Sequence, residues 1–251
     1  MRYERRVEAA LYEQFDRLED SHWWFSGRRA VVREVLRRKL PRRSGLHVLD
    51  VGCGTGGMLQ MLRELGSVAG IDTSEAALRH ARERLGPDVP LQLGALPDGL
   101  PPGQTFDLVT AFDVIEHIPD APAALRAVRG ALRPGGALAV TVPAYQFLWS
   151  RHDELNHHCR RYTAPLLRRH LEEGGFRMAW SSYFNTLLFP PIAAVRLLRK
   201  LIPERGEAGS DLEETPRPLN RVLEALFSSE RLVVPRARLP FGVSLIALAY
   251  T

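Results

Sequence analysis

Cysteine is nearly absent from the chain: Cys53 and Cys159 are the only two, far apart in sequence. No disulfide framework or clustered metal-cysteine motif can be built from them, and a reducing cytoplasm is the natural setting. Lysine is equally scarce, with Lys39 and Lys200 alone, so the net charge of +5 is carried by arginine. Those arginines are spread over many predicted helices, often beside acids, which argues against a basic nucleic-acid face. Long apolar runs are also lacking. The uncharged stretch from Trp180 to Val195 is broken by Pro190-Pro191 and is too short to span a bilayer. The opening segment, MRYERRVEAALYEQF, is charged and helical, without the apolar centre of a signal peptide. One membrane option survives: the apolar helix expected from Leu187 to Leu201, with Arg196, Arg199 and Lys200 near its end, suits docking on an anionic surface.

What the chain does contain is a regular alternation of strand and helix patterns. Strands are expected at 46–52, 67–72, 91–93, 106–112 and 136–142, with helices at 56–65, after Thr73-Ser74, at 121–132 and at 164–173. That order predicts a doubly wound, Rossmann-like α/β fold with a parallel sheet. Phe176 to Tyr183 and Phe241 to Tyr250 supply the last two strands. Between them lie the apolar helix, a charged loop from Ile202 to Pro218 and an amphipathic helix from Leu219 to Phe227. At 251 residues the chain buries about three quarters of its unfolded surface, enough for one elaborated domain. The expected organisation is an N-terminal helical lid region at 1–40, a core at 41–183, a helical insertion or substrate cover at 184–240, and a final edge strand at 241–251.

The most informative segment is Val48-Leu49-Asp50-Val51-Gly52-Cys53-Gly54-Thr55-Gly56-Gly57, an apolar strand running into a glycine-rich turn before a helix. Read alone, the turn is ambiguous. Gly52, Gly54 and Gly57 satisfy a dinucleotide fingerprint, with Asp72 about 20 residues on. Gly52, Gly54 and Gly56 equally satisfy the D-x-G-x-G pattern of S-adenosylmethionine (SAM) sites. A pyrophosphate disfavours a neighbouring carboxylate, whereas the ammonium and sulfonium of SAM favour one. Asp50 therefore points to SAM and away from an NAD-dependent oxidoreductase.

Together with G-I-D-T-S at 70–74, F-D-L-V-T-A-F-D-V-I-E-H-I-P-D at 106–120 and L-R-P-G-G at 132–136, this turn resembles the class I SAM-dependent methyltransferases. The stretches S-H-W-W-F-S-G-R-R at 21–29 and P-A-Y-Q-F-L-W-S-R-H-D-E-L-N-H-H-C-R-R-Y at 143–162 further resemble a bacterial subgroup of that family. The resemblance implies a seven-stranded fold and SAM as cofactor. It implies a cofactor site drawn from Arg28, Asp50, Gly52, Cys53, Gly54, Gly56, Asp72, Thr73, Ala95, Leu96, Phe112 and Asp113. Asp72 would accept from both ribose hydroxyls. Gly94-Ala95-Leu96 would lie along the adenine, and Phe112-Asp113 would flank the methionine portion. Trp23-Trp24-Phe25 would either close over the same mouth or staple the N-terminal helices to the sheet.

Methyl transfer needs in-line positioning, a dry site and, for a hydroxyl acceptor, removal of a proton. His117, His157 and His158 are the catalytic candidates, with His152 as a fourth possible base. Asp113, Glu116 and His117 fall at helical i, i+3, i+4 spacing and resemble an acidic-histidine metal motif of some O-methyltransferases, which offers a minor metal-site reading with His157 or His158 as a further ligand from the loop after the fifth strand. The loop from Tyr145 to Tyr162 has the composition of a polar acceptor pocket, with Asp153 and Glu154 suited to amines or sugar hydroxyls and Arg160 and Arg161 to anions. The sequence reading is thus an O- or N-methyltransferase acting on a small-molecule or lipid- or sugar-linked acceptor. Its alternatives are an RNA-directed methyltransferase and a SAM-binding protein whose chemistry is lost or repurposed.

Overall fold

The computed structural model describes residues 16–41, 45–201 and 215–251. The expected N-terminal helix before residue 16 and most of the charged loop from Ile202 lie outside the described residues. Helix α1 (Trp23–Lys39) precedes β1 (Leu46–Val51), α2 (Gly57–Leu62), β2 (Gly66–Asp72), α3 (Glu75–Leu85) and β3 (Leu91–Leu93). Then follow β4 (Phe106–Phe112), α4 (Ala121–Gly130), β5 (Leu132–Pro143), α5 (Arg151–Leu155) and α6 (Ala164–Glu173). The chain ends with β6 (Arg177–Phe184), α7 (Phe189–Leu201), α8 (Arg217–Ser229) and β7 (Ser244–Tyr250).

The seven strands lie in the order β3-β2-β1-β4-β5-β7-β6. Strands β1 to β5 pair in parallel, and β7 runs antiparallel between β5 and β6. The chain direction across the sheet reverses between β1 and β4, and in open α/β sheets the crevice beyond the strand carboxyl ends at such a switch point receives the ligand. Strand β7 is buried along Ser244 to Ala249, which explains its nearly unbroken apolar sequence: both faces are covered by side chains and both edges by strands.

One core joins α1, α2, α3 and α8 to one face of the sheet, through Val31, Val35, Leu59, Leu62, Leu78 and Phe227 among others. The other joins α4 and α6 to the opposite face, through Leu125, Val128, Leu167 and Leu171. Each such leucine contributes roughly 1.5–3 kcal/mol by leaving water. Local signals start three of the helices: the Ser74, Asp120 and Thr163 side chains accept N-terminal amides of α3, α4 and α6.

Strand boundaries differ modestly from the sequence expectation. Strand β5 already begins at Leu132, passing an irregularity in its pairing with β4, because Leu132 pairs with Phe106 before the regular register starts at Ala137. Strand β7 begins at Ser244, leaving Phe241 exposed in the connection.

The insertion and the N-terminus meet. Helix α8 packs along α1, with the Phe227 ring edge-on to Trp23 at 6.1 Å and stacked on Phe184 at 6.0 Å. Asn220 Oδ1 accepts from the Trp23 amide at 2.9 Å, while its Nδ2 donates to Ser21 O at 2.8 Å. No described helix is long and apolar enough to cross a membrane. Helix α7 does turn Val195 and Leu198 outward. Of the cations read as bilayer contacts, however, Arg196 donates to Leu148 O at 2.9 Å and Lys200 to Phe147 O at 2.8 Å.

Candidate active site at the carboxyl edge of the sheet

The glycine turn leaves β1 with Gly52, Gly54 and Gly56 at φ of 69°, 55° and 92°, a region that costs an L-residue about 1–2 kcal/mol. Backbone bonds tie the turn to the end of β2: the Gly52 and Cys53 amides donate to Ile71 O at 2.8 and 3.1 Å. The Asp72 carboxylate completes the tie, accepting from Gly54 N at 2.8 Å and Ser74 N at 2.9 Å. Asp72 is thus a brace for the turn in addition to the ribose acceptor inferred for it, since each carboxylate oxygen retains a second lone pair. Thr73 is exposed beside it. Gly94 donates to the Asp72 backbone carbonyl at 2.9 Å, so Ala95 and Leu96 follow directly from the end of β2. Cys53 is buried, and burial raises its thiol pKa, so this side chain is packing rather than chemistry.

The glycines separate folding from binding. A Cβ on Gly52 would stand 2.5 Å from Val114 Cγ2, whereas one on Gly54 would meet nothing within 4 Å. Gly54→Ala is therefore expected to cost only about 1–2 kcal/mol of stability while weakening SAM binding by about tenfold or more. Gly52→Ala should lose more stability. Thermal unfolding and calorimetric SAM titration of both variants measure the split; equal SAM affinity for Gly54→Ala and the parent would remove this turn from the binding site.

Asp50 is 2% exposed and accepts a 2.6 Å bond from the Thr110 hydroxyl, its register partner on β4. Burial is the largest influence on it and raises its pKa from 3.8 to about 7, against the opposing pull of the Thr110 bond and Arg28. Across the mouth, Asp113 takes the left-handed conformation at φ 57°, accepts from the Thr141 hydroxyl at 3.2 Å and pairs with Arg28 at 3.0 Å. Arg28 also donates to Phe112 O at 3.3 Å and lies 4.9 Å over the Trp24 ring. The aromatic triplet therefore divides its roles: Trp23 staples α1 to α8, and Trp24 covers the mouth through Arg28. The Trp24 face is taken up by the Arg28 guanidinium.

Thr110 and Thr141 escaped the sequence reading. Their signal was a single hydroxyl in the apolar stretch of each strand, L-V-T-A-F and A-L-A-V-T-V-P. Glu19 was missed as well; it is 8% exposed and accepts from the Thr55 hydroxyl at the turn.

The histidines lie beyond the ends of β4 and β5. Ile115–His117 is a short 3-10 turn rather than an α-helix, so the i, i+3, i+4 face expected for Asp113, Glu116 and His117 does not form. Asp113 turns to Arg28 and Thr141. Glu116 is fully buried, and neither of its carboxyl oxygens has a hydrogen-bond partner among the described residues. Burial first and Asp113 second raise its pKa well above the usual carboxyl range. The ring of His158 stands edge-on to His117 at 4.5 Å; although the His117 residue is exposed at the surface, partial desolvation of its ring, then the charge of His158, lowers its pKa and favours the neutral imidazole.

His158 Nδ1 is 2.8 Å from Asp153 Oδ1. Asp153 is fully buried and also accepts two bonds from Arg161, at 2.8 and 2.9 Å, and one from Ser150 N at 2.8 Å. Asp153 and Arg161 therefore satisfy each other, which corrects their reading as acceptor-binding groups. Arg160 likewise donates to Ile118 O and Pro119 O, both at 2.7 Å, stitching the two loops together. His152 stands edge-on to His158 at 6.1 Å. His157 is exposed at φ 53°, and no close ring contact joins it to this cluster.

A methyltransferase-domain family profile matches residues 24–179, which include the turn, both aspartates and the histidine cluster. The chain belongs to the class I SAM-dependent methyltransferase family. The family's cofactor is SAM. The chain is 30% identical to a trans-aconitate 2-methyltransferase of Deinococcus radiodurans over 71% of its own length and 66% of that protein's. It is also 30% identical to a ubiquinone biosynthesis O-methyltransferase of a Methylobacterium species over 54% of its length and 61% of that protein's. The matches thus span about two thirds or less of these relatives. In fold, it resembles the methyltransferase solved with the Trm112 methyltransferase activator of Haloferax volcanii, at 21% identity and a TM-score of 0.62, covering 98% of this chain and 94% of that one. A SAM-dependent methyltransferase from Mesorhizobium loti gives 20% identity and a TM-score of 0.57, covering 86% of this chain and 95% of that one.

Proposed function

We propose that the protein transfers the methyl group of SAM to an oxygen of a small-molecule acceptor. The observation that carries this reading is the convergence, at one edge of the sheet, of the Asp50–Asp72 turn with His117 and the Asp153-oriented His158. The turn suits an electropositive donor. The two imidazoles suit an acceptor that must lose its proton, which a hydroxyl requires and a neutral amine does not. A relative named as an O-methyltransferase supports the same preference. Nitrogen is the alternative acceptor atom.

The protein's own share of the chemistry is positioning and water exclusion. Trp24, Arg28 and Phe112 cover the mouth, and Asp113 is held by Arg28 and Thr141 at its rim. SAM supplies the activated methyl group.

Labelled-methyl transfer from SAM to a panel of trans-aconitate, phenols, sugars and amines tests the reading. The expected result is transfer to an oxygen acceptor, with His158→Ala lowering kcat by about 10² or more. Asp72→Ala should weaken SAM binding by about 2 kcal/mol or more, roughly 30-fold. Transfer to amines alone would reverse the choice of atom, and SAM binding without transfer to any acceptor would point to lost or repurposed chemistry.

A further inference from the structure

We propose that Glu116, His117 and His158 form a binding site for one divalent transition-metal ion. The ligand atoms these three side chains offer all lie within 4.8 Å of one another. They come from two loops, after β4 and after β5, that are held together independently of any ion by Cys159 N donating to Glu116 O at 2.7 Å and by Arg160 donating to Ile118 O and Pro119 O. The ligand set is therefore brought together before binding.

Two further observations point to a ligand at this place. The first is the Glu116 side chain, fully buried with both oxygens unpartnered. Leaving a buried carboxyl unpaired is costly, and a cation facing two imidazoles would remove that cost. The second is the support behind His158. Its Nδ1 is engaged by Asp153, leaving Nε2 as the coordinating nitrogen, and Asp153 is itself locked by Arg161 and Ser150. A carboxylate that fixes the orientation of a ligating imidazole is the usual outer support of a metal site.

The donor set selects the ion. Two imidazoles and one carboxylate favour Zn2+, Co2+, Fe2+ or Mn2+ over Mg2+ and Ca2+, which prefer oxygen ligands. Three protein ligands leave coordination positions open, as in catalytic rather than structural sites. His117 is exposed, so the open positions face a reachable side of the cluster. Asp113 is not a ligand, because Arg28 and Thr141 occupy it.

The site's role rests on the proposed methyl transfer to oxygen; its existence does not. With both imidazoles committed to the ion neither serves as the base, and it is the ion that makes a bound acceptor hydroxyl lose its proton to water more readily. Its oxygen then forms the O–C bond as the C–S bond of SAM breaks, with that electron pair staying on sulfur.

The test uses the full chain, stripped of metal and checked for SAM binding, titrated with Co2+ under visible absorption and with Zn2+ by calorimetry. Expected is one saturable equivalent whose ligand-field bands signal nitrogen coordination, with Glu116→Gln and His117→Ala each weakening it by about 100-fold and Asp153→Asn by about 10–100-fold. Because Asp153→Asn strains the loop, His117→Ala, at an exposed position, is the variant that keeps its fold, and circular dichroism verifies it. A SAM-binding protein that shows no saturable Co2+ spectrum overturns the site, as does unchanged affinity in both Glu116→Gln and His117→Ala. Metal binding without methyl transfer to any acceptor upholds the site and refutes the catalytic reading. Oxygen methylation that persists after metal removal refutes the ion's role in the acceptor step.

Discussion

Asp50→Asn is expected to make the SAM-free protein more stable at pH 8 and, at the same time, a far weaker SAM binder. Burial raises the Asp50 pKa from 3.8 to about 7. A raised folded pKa means that the stability this group contributes is fully present below its unfolded value and is lost as pH rises through about 7. At pH 8 the parent therefore carries an ionised, buried carboxylate, at a cost on the order of 4 kcal/mol. Asparagine keeps the shape and can still accept from Thr110, so most of that cost should disappear. The proposed function gives the same charge the task of attracting the ammonium and sulfonium of SAM. Its removal should weaken binding by about 2 kcal/mol or more. In the parent protein, SAM affinity should rise with pH and level off above about 7, changing about 30-fold between pH 5.5 and 8. Calorimetry at several pH values, with thermal unfolding of both proteins, decides the matter. A flat affinity profile, or an Asp50→Asn variant that binds SAM as well as the parent, would remove Asp50 from the cofactor's electropositive end.

Asp153→Ala should be the most destabilising single substitution in the loop between β5 and α6. It would leave Arg161, 4% exposed, without its bidentate partner and free the His158 ring. Breaking a buried pair by removing one member costs about 3–5 kcal/mol, or roughly 6–20 °C in Tm for a chain of this size. Replacing both residues, as in Asp153→Leu with Arg161→Met, should recover much of the loss, because the penalty comes from the stranded charge. A loss for Asp153→Ala below about 1 kcal/mol would mean that the pair behaves as a solvent-exposed one. The pH dependence has the opposite sign from Asp50. Burial alone would raise the Asp153 carboxyl, but the bonds from His158 and Arg161 outweigh it and hold the pKa below the usual carboxylate value of 3.8. The stability from this group is thus present above pH 3.8 and is lost as pH falls through the depressed folded value.

These two aspartates show where sequence reasoning reaches and where it stops. Asp50 stands out from its neighbours in the chain, because the strand, the acid and the glycines act on one another over a few residues, and the fold does bury it beside that turn. Asp153 was recognised as chemically unusual but given the wrong partner. Its true partners, His158 and Arg161, lie only a few residues on, yet a list of charged side chains in a loop does not say which will satisfy each other and which will face a ligand. Only the folded loop does that, since every buried charge must find a partner there. Likewise, the spacing of Asp113, Glu116 and His117 assumed a helix that the chain does not form: Asp113 turns away to Arg28 and Thr141, and of the two histidines offered by the next loop it is His158, not His157, that stands beside Glu116 and His117.

What the sequence determined by itself is local or periodic: the order of strands and helices, the capping residues Ser74, Asp120 and Thr163, the glycine turn with Asp50, and a fold whose switch point brings that turn beside β4. These follow from backbone preferences and hydrophobic period, which act within one element or between consecutive ones. Tertiary structure alone decided that Arg28 reaches Asp113, that α8 packs on α1, that Thr110 and Thr141 hold the two aspartates at the mouth, and that Glu116 is left without a partner between two histidines. Those outcomes depend on packing across tens to hundreds of residues, where the competition among burial, charge pairing and chain entropy is settled by the whole fold.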